Sequence, residues 1–271
     1  MILCLHGKAQ PLSAKNIEEL FRPYDSRLAV IVGSGTSLRS FDFKQLAKND
    51  IFTFAINHEP WRGAEHYRAN ALIYCDAALS AMHIDTPCPT CGGTFSNLEV
   101  DHIFTSREEV KRLELRGVEA ECVLSKAYKF EVTRGSWSPG CGKAFMDRTT
   151  ATAALSMAIE MGFKDIAMIG VDLYSEDEQY YYTGGKPSPF KRAGSTKLSD
   201  GRYMEDRHSG MLAAFLQVGN KLKVSNWDGN IYQCSKWSPL EIFNKVSFSE
   251  VIRRRSSPES VMARLEMKNG E

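Results

Sequence analysis

The sequence predicts a doubly wound α/β fold built on a mostly parallel sheet and carrying a lid insertion. Two observations predict it. Short apolar runs rich in β-branched residues alternate with stretches of helical periodicity, and several of those runs end directly in a small or polar residue. Strands that alternate with helices imply crossover connections, which join parallel neighbours.

The predicted strands fall at 28–32, 51–56, 71–74, 103–105, 166–171 and 222–224. The clearest unit spans 149–172. There Ala151, Ala154, Leu155, Ala158 and Ile159 repeat at helical spacing, a threonine or aspartate can cap the start, and Gly162 can supply the left-handed stop. The strand IAMIGV follows. Residues 77–100 form a long loop containing PCPTCGG, and residues 173–207 are rich in Tyr, Gly, Ser, Lys and Asp with few aliphatic side chains. The expected organisation is therefore one α/β domain made of 1–172 and 208–271, with 173–207 as the lid. Arg253, Arg254 and Arg255 are expected on the solvated face of a polar C-terminal helix.

The composition is that of an ordinary globular chain: 271 residues, 43% hydrophobic and 25% charged. Thirty-four Lys and Arg balance 33 Asp and Glu. No bulk field therefore points to a nucleic acid. No segment approaches the run of roughly 20 apolar residues that spans a membrane, and MILCLHGKAQ is too short for a signal peptide's apolar region. Seven scattered cysteines, an odd number, suit reduced thiols. A cytoplasmic protein is expected, with peripheral membrane association left open.

In a parallel sheet the residues that close the strands line one edge, the edge at which open α/β sheets bind ligands. Gly33, Ser34, Asn57, Asp76 and Asp172 are placed there. The turn GSGTSL, with Gly33, Ser34 and Gly35, can bring backbone N–H groups close to a phosphate, and a following helix start would add donors. It lacks the third glycine of a dinucleotide fingerprint and the lysine of a Walker loop, and it serves equally as a tight turn. His208, in EDRHSGM, has the unperturbed pKa of a general base near neutrality. Tyr174, Tyr180, Tyr181 and Tyr182 could donate to a departing phosphate while staying neutral, or could form the packing face of a lid. Cys88 and Cys91 have the spacing of half a structural zinc knuckle. His83, His102, Cys122 and Cys141 are left as partners by elimination, and the alternative is a turn with two free thiols.

Taken in order, these segments resemble the bacterial sialyltransferases of glycosyltransferase family 42. More distantly they are similar to the superfamily that includes motility-associated glycosyltransferases and hydroxymethylpterin diphosphokinase-like proteins. The resemblance rests on GSGTSL from Gly33, on Asn57 in FAIN, on RTTATAALSMAIEMGFKDIAMIGVDLY from Arg148, on His208 followed by Ser209, and on NIYQCSKWSPL. It implies a metal-independent transferase that needs no cofactor for catalysis. Gly33, Ser34, Gly35, Asn57, Arg148, Thr150 and Asp172 would bind a CMP-linked sugar donor. His208 would act as the base toward an acceptor hydroxyl, and Tyr174 and Tyr180 would stabilise the leaving phosphate. It also implies a homo-oligomer.

The chain departs from the family at Ser34 and Thr36, where the family has Asn and Pro. It departs again at Ala151, where a Thr-Ser pair holds the sugar's carboxylate. The reaction class therefore carries over better than sialic acid does, with Thr152 and helix amides able to compensate in part. A magnesium-dependent diphosphokinase using Asp76 and Asp172 is the alternative from the same edge. A non-catalytic nucleotide- or partner-binding protein is the alternative from another class.

Overall fold

The computed structural model describes residues 15–16, 27–47, 50–57, 59–75, 93–115, 127–147, 149–173, 195–197, 203–236 and 238–257. Its central sheet contains β1 (Lys15–Asn16), β2 (Leu28–Val32), β3 (Ile51–Ile56), β4 (Ala71–Tyr74), β5 (His102–Ser106) and β6 (Ala127–Phe130). Two short strands, β7 (Val132–Thr133) and β8 (Ala144–Phe145), pair with each other, and β9 (Asp165–Ile169) returns to the main sheet. Strands β10 (Ser195–Lys197) and β11 (Tyr203–Glu205) form a separate antiparallel pair. The main sheet is completed by β12 (Asn230–Gln233) and β13 (Asn244–Lys245).

The nine strands run in the order β1-β6-β5-β4-β3-β2-β9-β12-β13 and every neighbouring pair is parallel. The five residues of β2 are fully buried, because a central parallel strand is covered on both faces and must be apolar throughout. The chain leaves β2 toward β3, β4, β5 and β6, then returns to pair β9 with the other side of β2. The fold is thus doubly wound, and the strand order reverses between β2 and β9.

Alternate residues of each strand feed two cores. Ala29, Ile31, Phe52, Phe54, Ile166 and Met168 face α3 (Thr150–Glu160) and α4 (Asp206–Val224), which contribute Leu155, Ala158, Phe215 and Val218. Leu28, Val30, Val32, Ala167 and Ile169 face the opposite layer. That layer contains the 3₁₀ turns Thr36–Ser40 and Phe43–Leu46, α2 (Arg107–Leu115) and α5 (Phe248–Arg255). A short α1 (Glu59–Arg62) follows β3.

Helix α3 follows the sequence signals closely. Thr149 caps it through the Ala151 N–H at 3.2 Å, and Gly162, at φ 86°, ends it. The bonds Gly162 N to Ile159 O (3.0 Å) and Phe163 N to Ala158 O (3.1 Å) close the αL stop. Its eleven residues span about 16 Å, the length of the five-residue β9 that follows. The C-terminus of α3 therefore lies near the amino edge of the sheet and its N-terminus near the carboxyl edge. By the same connection to β12, α4 points its N-terminus toward that edge.

Three expectations are corrected. Residues 222–224 end α4 instead of forming a strand, because Leu222 continues the helical stripe of Phe215 and Val218; the strand that follows is β12. Residues 94–100, assigned to the long cysteine loop, are folded: Thr94 and Asn97 form a capping box, and Phe95, Leu98 and Val100 are buried. The arginine run is not uniformly solvated. Arg253 and Arg254 pair with Glu250, whereas Arg255 is 5% exposed and donates to Asp165, with Asp50 at 3.8 Å. Within 173–207, β10, β11 and the start of α4 at Asp206 are described.

Two predictions follow from packed charges. Removing the Arg255 guanidinium leaves Asp165 without its buried partner, so Arg255→Ala should cost about 3 kcal/mol, read as a lowered denaturant midpoint. Glu160, at the carbonyl end of α3, accepts from Gly140 N (3.1 Å) and Gly142 N (2.9 Å), yet burial outweighs those bonds and raises its pKa. The folded state therefore holds the Glu160 proton more tightly than the unfolded chain does. Its stabilising share is present below the unfolded pKa and is lost as pH rises through the raised one. Glu160→Gln should flatten the fall in urea midpoint over that window, whatever constant offset it adds.

Candidate functional site

The carboxyl edge between β2 and β9 is where the strand order reverses, the position at which open α/β sheets leave a crevice. The turn after β2 and the turn after β9 meet there. Gly33 N donates to Ile169 O at 2.8 Å and Gly35 N to Gly170 O at 2.7 Å, extending the strand ladder beyond its ends. A Cβ on Gly33 would lie 2.3 Å from the Gly170 carbonyl oxygen. One on Gly35 would lie 2.3 Å from Asp172 Oδ2. Both glycines are thus required by the approach of one turn to the other, the tight-turn role that the sequence left open beside phosphate binding. Gly170, at φ 63°, completes the contact against Leu38.

Asp172 locks this junction. It is 2% exposed; its Oδ2 accepts from Ser37 N at 2.8 Å and its Oδ1 from the Ser37 hydroxyl at 2.5 Å. Ser37 is the second residue of the five-residue 3₁₀ turn Thr36–Ser40, which stands in place of the helix expected to offer its dipole to a ligand. Behind Asp172, Val171 N donates to Ser235 Oγ at 2.8 Å, and Gln233 Nε2 donates to Val171 O (3.4 Å) and Ser238 Oγ (2.9 Å). Ser235 N closes the network on Gln233 Oε1 at 2.8 Å. Gln233, Ser235 and Ser238 are all buried.

Ser34 and Asn57 follow from the register. Val32 lies opposite Ala55, so Ser34 and Asn57 each follow the last paired residues of adjacent strands by two positions, and both are half-buried. Asn57 adopts φ 55°, a left-handed conformation that asparagine tolerates, and its N–H donates to Ile73 O at 3.2 Å. Its Oδ1 is sequestered from solvent without a hydrogen-bond partner. Thr36 Oγ1, at the start of the 3₁₀ turn after β2, and Thr105 Oγ1, near the end of β5, are in the same condition. An unsatisfied buried polar atom costs about 1–3 kcal/mol and calls for an explanation, of which a missing ligand is one.

Thr150 opens α3 near the same edge and is half-buried. Thr152, expected to compensate for the hydroxyl missing at Ala151, is fully buried and donates to Thr149 O at 2.9 Å. His208 is the third residue of α4, whose N-terminus points toward the edge; its side chain lies outside the described features. Tyr174, Tyr180, Arg148, Asp76, Cys88 and Cys91 lie outside the described residues. Among the described residues no group of three His, Cys, Asp or Glu side chains could hold a metal ion. His102 stacks on Phe52 and Phe104 and meets Tyr128 edge-on, and burial pushes the Cys234 thiol up to about 12, which disfavours the thiolate near neutral pH.

No protein-family model matches the chain, and no curated protein matches its sequence. Solved structures do. A MAf glycosyltransferase from Magnetospirillum magneticum AMB-1 superposes with a TM-score of 0.53 at 16% identity over 94% of this chain. The match takes in only 38% of that larger protein. The sialyltransferase CstII from Campylobacter jejuni, solved with the substrate analogue CMP-3FNeuAc, gives 0.45 at 15% identity, covering 82% of this chain and 86% of its own. The α-2,3-sialyltransferase Cst-I of the same organism gives 0.43 at 14% identity, covering 90% and 94%. At these identities the first likeness establishes a shared fold.

Sequence reasoning missed Gly170, Ser37, Gln233, Ser235 and Ser238. Two carried a readable signal: a glycine closing the apolar run IAMI, and a glutamine inside the buried strand NIYQ. The junction can be tested directly. Gly35→Ala drives a methyl group into the Asp172 carboxylate and should destabilise the protein by about 2 kcal/mol. Ser34→Ala, which meets no such obstacle, should stay within about 0.5 kcal/mol of wild type in thermal unfolding.

Proposed function

We propose that this chain transfers a glycosyl group from a nucleotide-activated donor to an acceptor hydroxyl at the carboxyl edge of the sheet. The observation that carries the reading is the buried, unpartnered Asn57 Oδ1 at the end of β3, next to the reversal in strand order. It is an acceptor to which a ligand's hydroxyl or amino group would supply the missing donor. The shared fold with a MAf glycosyltransferase supports the reaction class. The ordered resemblance of GSGTSL, FAIN, the Arg148–Tyr174 segment and the His208-Ser209 pair to family 42 supports a CMP-linked donor.

In this mechanism Gly33, Ser34, Gly35, Asn57 and Asp172 shape the nucleotide end of the site, and Arg148 and Thr150 hold the sugar-phosphate portion. His208 takes the proton of the acceptor hydroxyl as that oxygen attacks the anomeric carbon. The bond from that carbon to the phosphate oxygen breaks as the new one forms. Tyr174 and Tyr180 hydrogen-bond the departing phosphate, which replaces a metal as the source of leaving-group stabilisation. In this mechanism the segment 173–207 would serve as a lid that limits attack by water. No metal is required for this chemistry, and Asp172, with both oxygens engaged by Ser37, is a poor ligand for the magnesium of a diphosphokinase. Cys88 and Cys91 are assigned to structural zinc. No described helix is long and apolar enough to cross a membrane, which is compatible with an acceptor reached from solution or at a membrane surface.

Calorimetric titration with CMP, UDP, GDP and ADP, with magnesium and with excess chelator, tests the donor class. Preference for CMP in chelator is the expected result, and an adenine nucleotide bound only with magnesium would replace this reading by phosphoryl transfer. His208→Ala should lower transfer by about 10²–10⁴-fold while leaving CMP affinity unchanged. Full activity in that variant would remove His208 from the mechanism.

A further inference from the structure

In a glycine-rich turn that receives a phosphate, the donors of the following segment point at the bound anion. Here they point at an anion the protein supplies itself. The Ser37 N–H and hydroxyl donate to the two oxygens of Asp172 at 2.8 and 2.5 Å, and Gly35 passes so close to that carboxylate that no side chain fits between them. The carboxylate is seated from behind, because Ser235 and Gln233 hold the Val171 backbone by its N–H and its C=O. Beside the turn, Asn57 Oδ1 is buried and has no donor. Thr36 Oγ1, within the turn, is also buried without a partner, but a hydroxyl can donate or accept, whereas Asn57 Oδ1 needs a donated hydrogen bond, which the oxygens of an ionised phosphate cannot give.

We infer that Asp172 is a built-in anion filling the phosphate position of the Gly33–Ser37 turn, so that the turn reads an uncharged part of the donor, its ribose hydroxyls or base, while the phosphate lies elsewhere. This rests on the nucleotide-donor reading above. A carboxylate and a phosphate competing for one pair of donors repel each other strongly in a buried setting, whereas a hydroxyl can donate to an acceptor such as Asn57 Oδ1. Gln233 and Ser235 are positioning residues in this scheme: they fix Asp172, and Asp172 fixes the turn.

The test compares cytidine with cytidine 5′-monophosphate by calorimetry, because the ratio of their dissociation constants isolates what the phosphate contributes. Asp172→Asn keeps the shape of the side chain and removes its charge. It should weaken both ligands together, by about tenfold each, and leave their ratio within about twofold of wild type. A rise of about tenfold or more in that ratio would mean that the phosphate sits against the carboxylate and was being repelled, which overturns the inference. Unchanged affinity for both ligands also overturns it, since the turn would then not touch the donor. Ser37→Ala covers the case of an Asp172→Asn protein that does not fold. Cytidine and its monophosphate should again weaken in parallel, and a loss confined to the monophosphate would show that its phosphate uses the Ser37 hydroxyl. Wild-type protein that binds neither ligand would instead refute the donor reading itself, and the inference with it.

Discussion

The site depends on the junction at which β2 and β9, paired along their whole length, send their chains in opposite directions. Parallel neighbours that diverge leave backbone donors and acceptors at their ends without ladder partners, and the reversal would open a polar cleft into the middle of the sheet. Here the ends stay together. Gly33 and Gly35 continue the ladder onto Ile169 and Gly170, and Asp172 spans to Ser37, 135 residues earlier in the chain. The closeness of the backbones requires glycine at three places, and the buried carboxylate requires donors on the partner turn. Each requirement explains the other: a side chain at position 35 would push Asp172 away from Ser37, and without Asp172 the Ser37 amide would lose its buried acceptor.

This junction also determines what the remaining elements can offer a ligand. Both α3 and α4 return from the carboxyl edge to the amino edge before β9 and β12, so their N-termini are directed toward the reversal. Helix N-termini favour negative charge, and α3 presents Thr150 and its neighbouring amides there. The turn after β2 presents a carboxylate instead. The edge is therefore polarised, with an acceptor-rich part around Asp172 and Asn57 and a donor-rich part at the start of the helices. A nucleotide-activated sugar has the complementary polarity, with hydroxyl and amino donors on its nucleoside and negative charge on its phosphate.

Much of the fold was legible in the sequence because central parallel strands are apolar on both faces and end abruptly. The runs at 28–32, 51–56 and 71–74 coincide with β2, β3 and β4, and Thr149 and Gly162 bound α3 as their chemistry demands. Peripheral elements were less readable. The two-residue strands β1, β7, β8 and β13 are defined by their partners and have no pattern of their own. The stretch 222–224 looks like a strand in isolation and is a helix because Phe215 and Val218 extend its stripe. Arg255 is buried by Asp165, 90 residues away, which no local charge pattern reveals. The same limit applies to the site. The edge positions Gly33, Ser34, Asn57 and Asp172 could be aligned from strand ends, but the reason for the glycines lay in the approach of a second turn.

Asn57 shows how far the physical argument reaches. A half-buried asparagine in the left-handed region at the end of a parallel strand is compatible with an ordinary turn, and its backbone alone would suggest nothing more. The side chain changes that conclusion. Its oxygen is shielded from water and accepts no hydrogen bond, while the residues beside it across the reversal satisfy one another through Ser37, Asp172, Ser235 and Gln233. A buried acceptor left unpaired carries a cost of about 1–3 kcal/mol in the unliganded state. A ligand that donates to Asn57 would recover that cost. A ligand without a suitable donor would leave the cost in place, so the same atom that would favour binding would also discriminate among ligands.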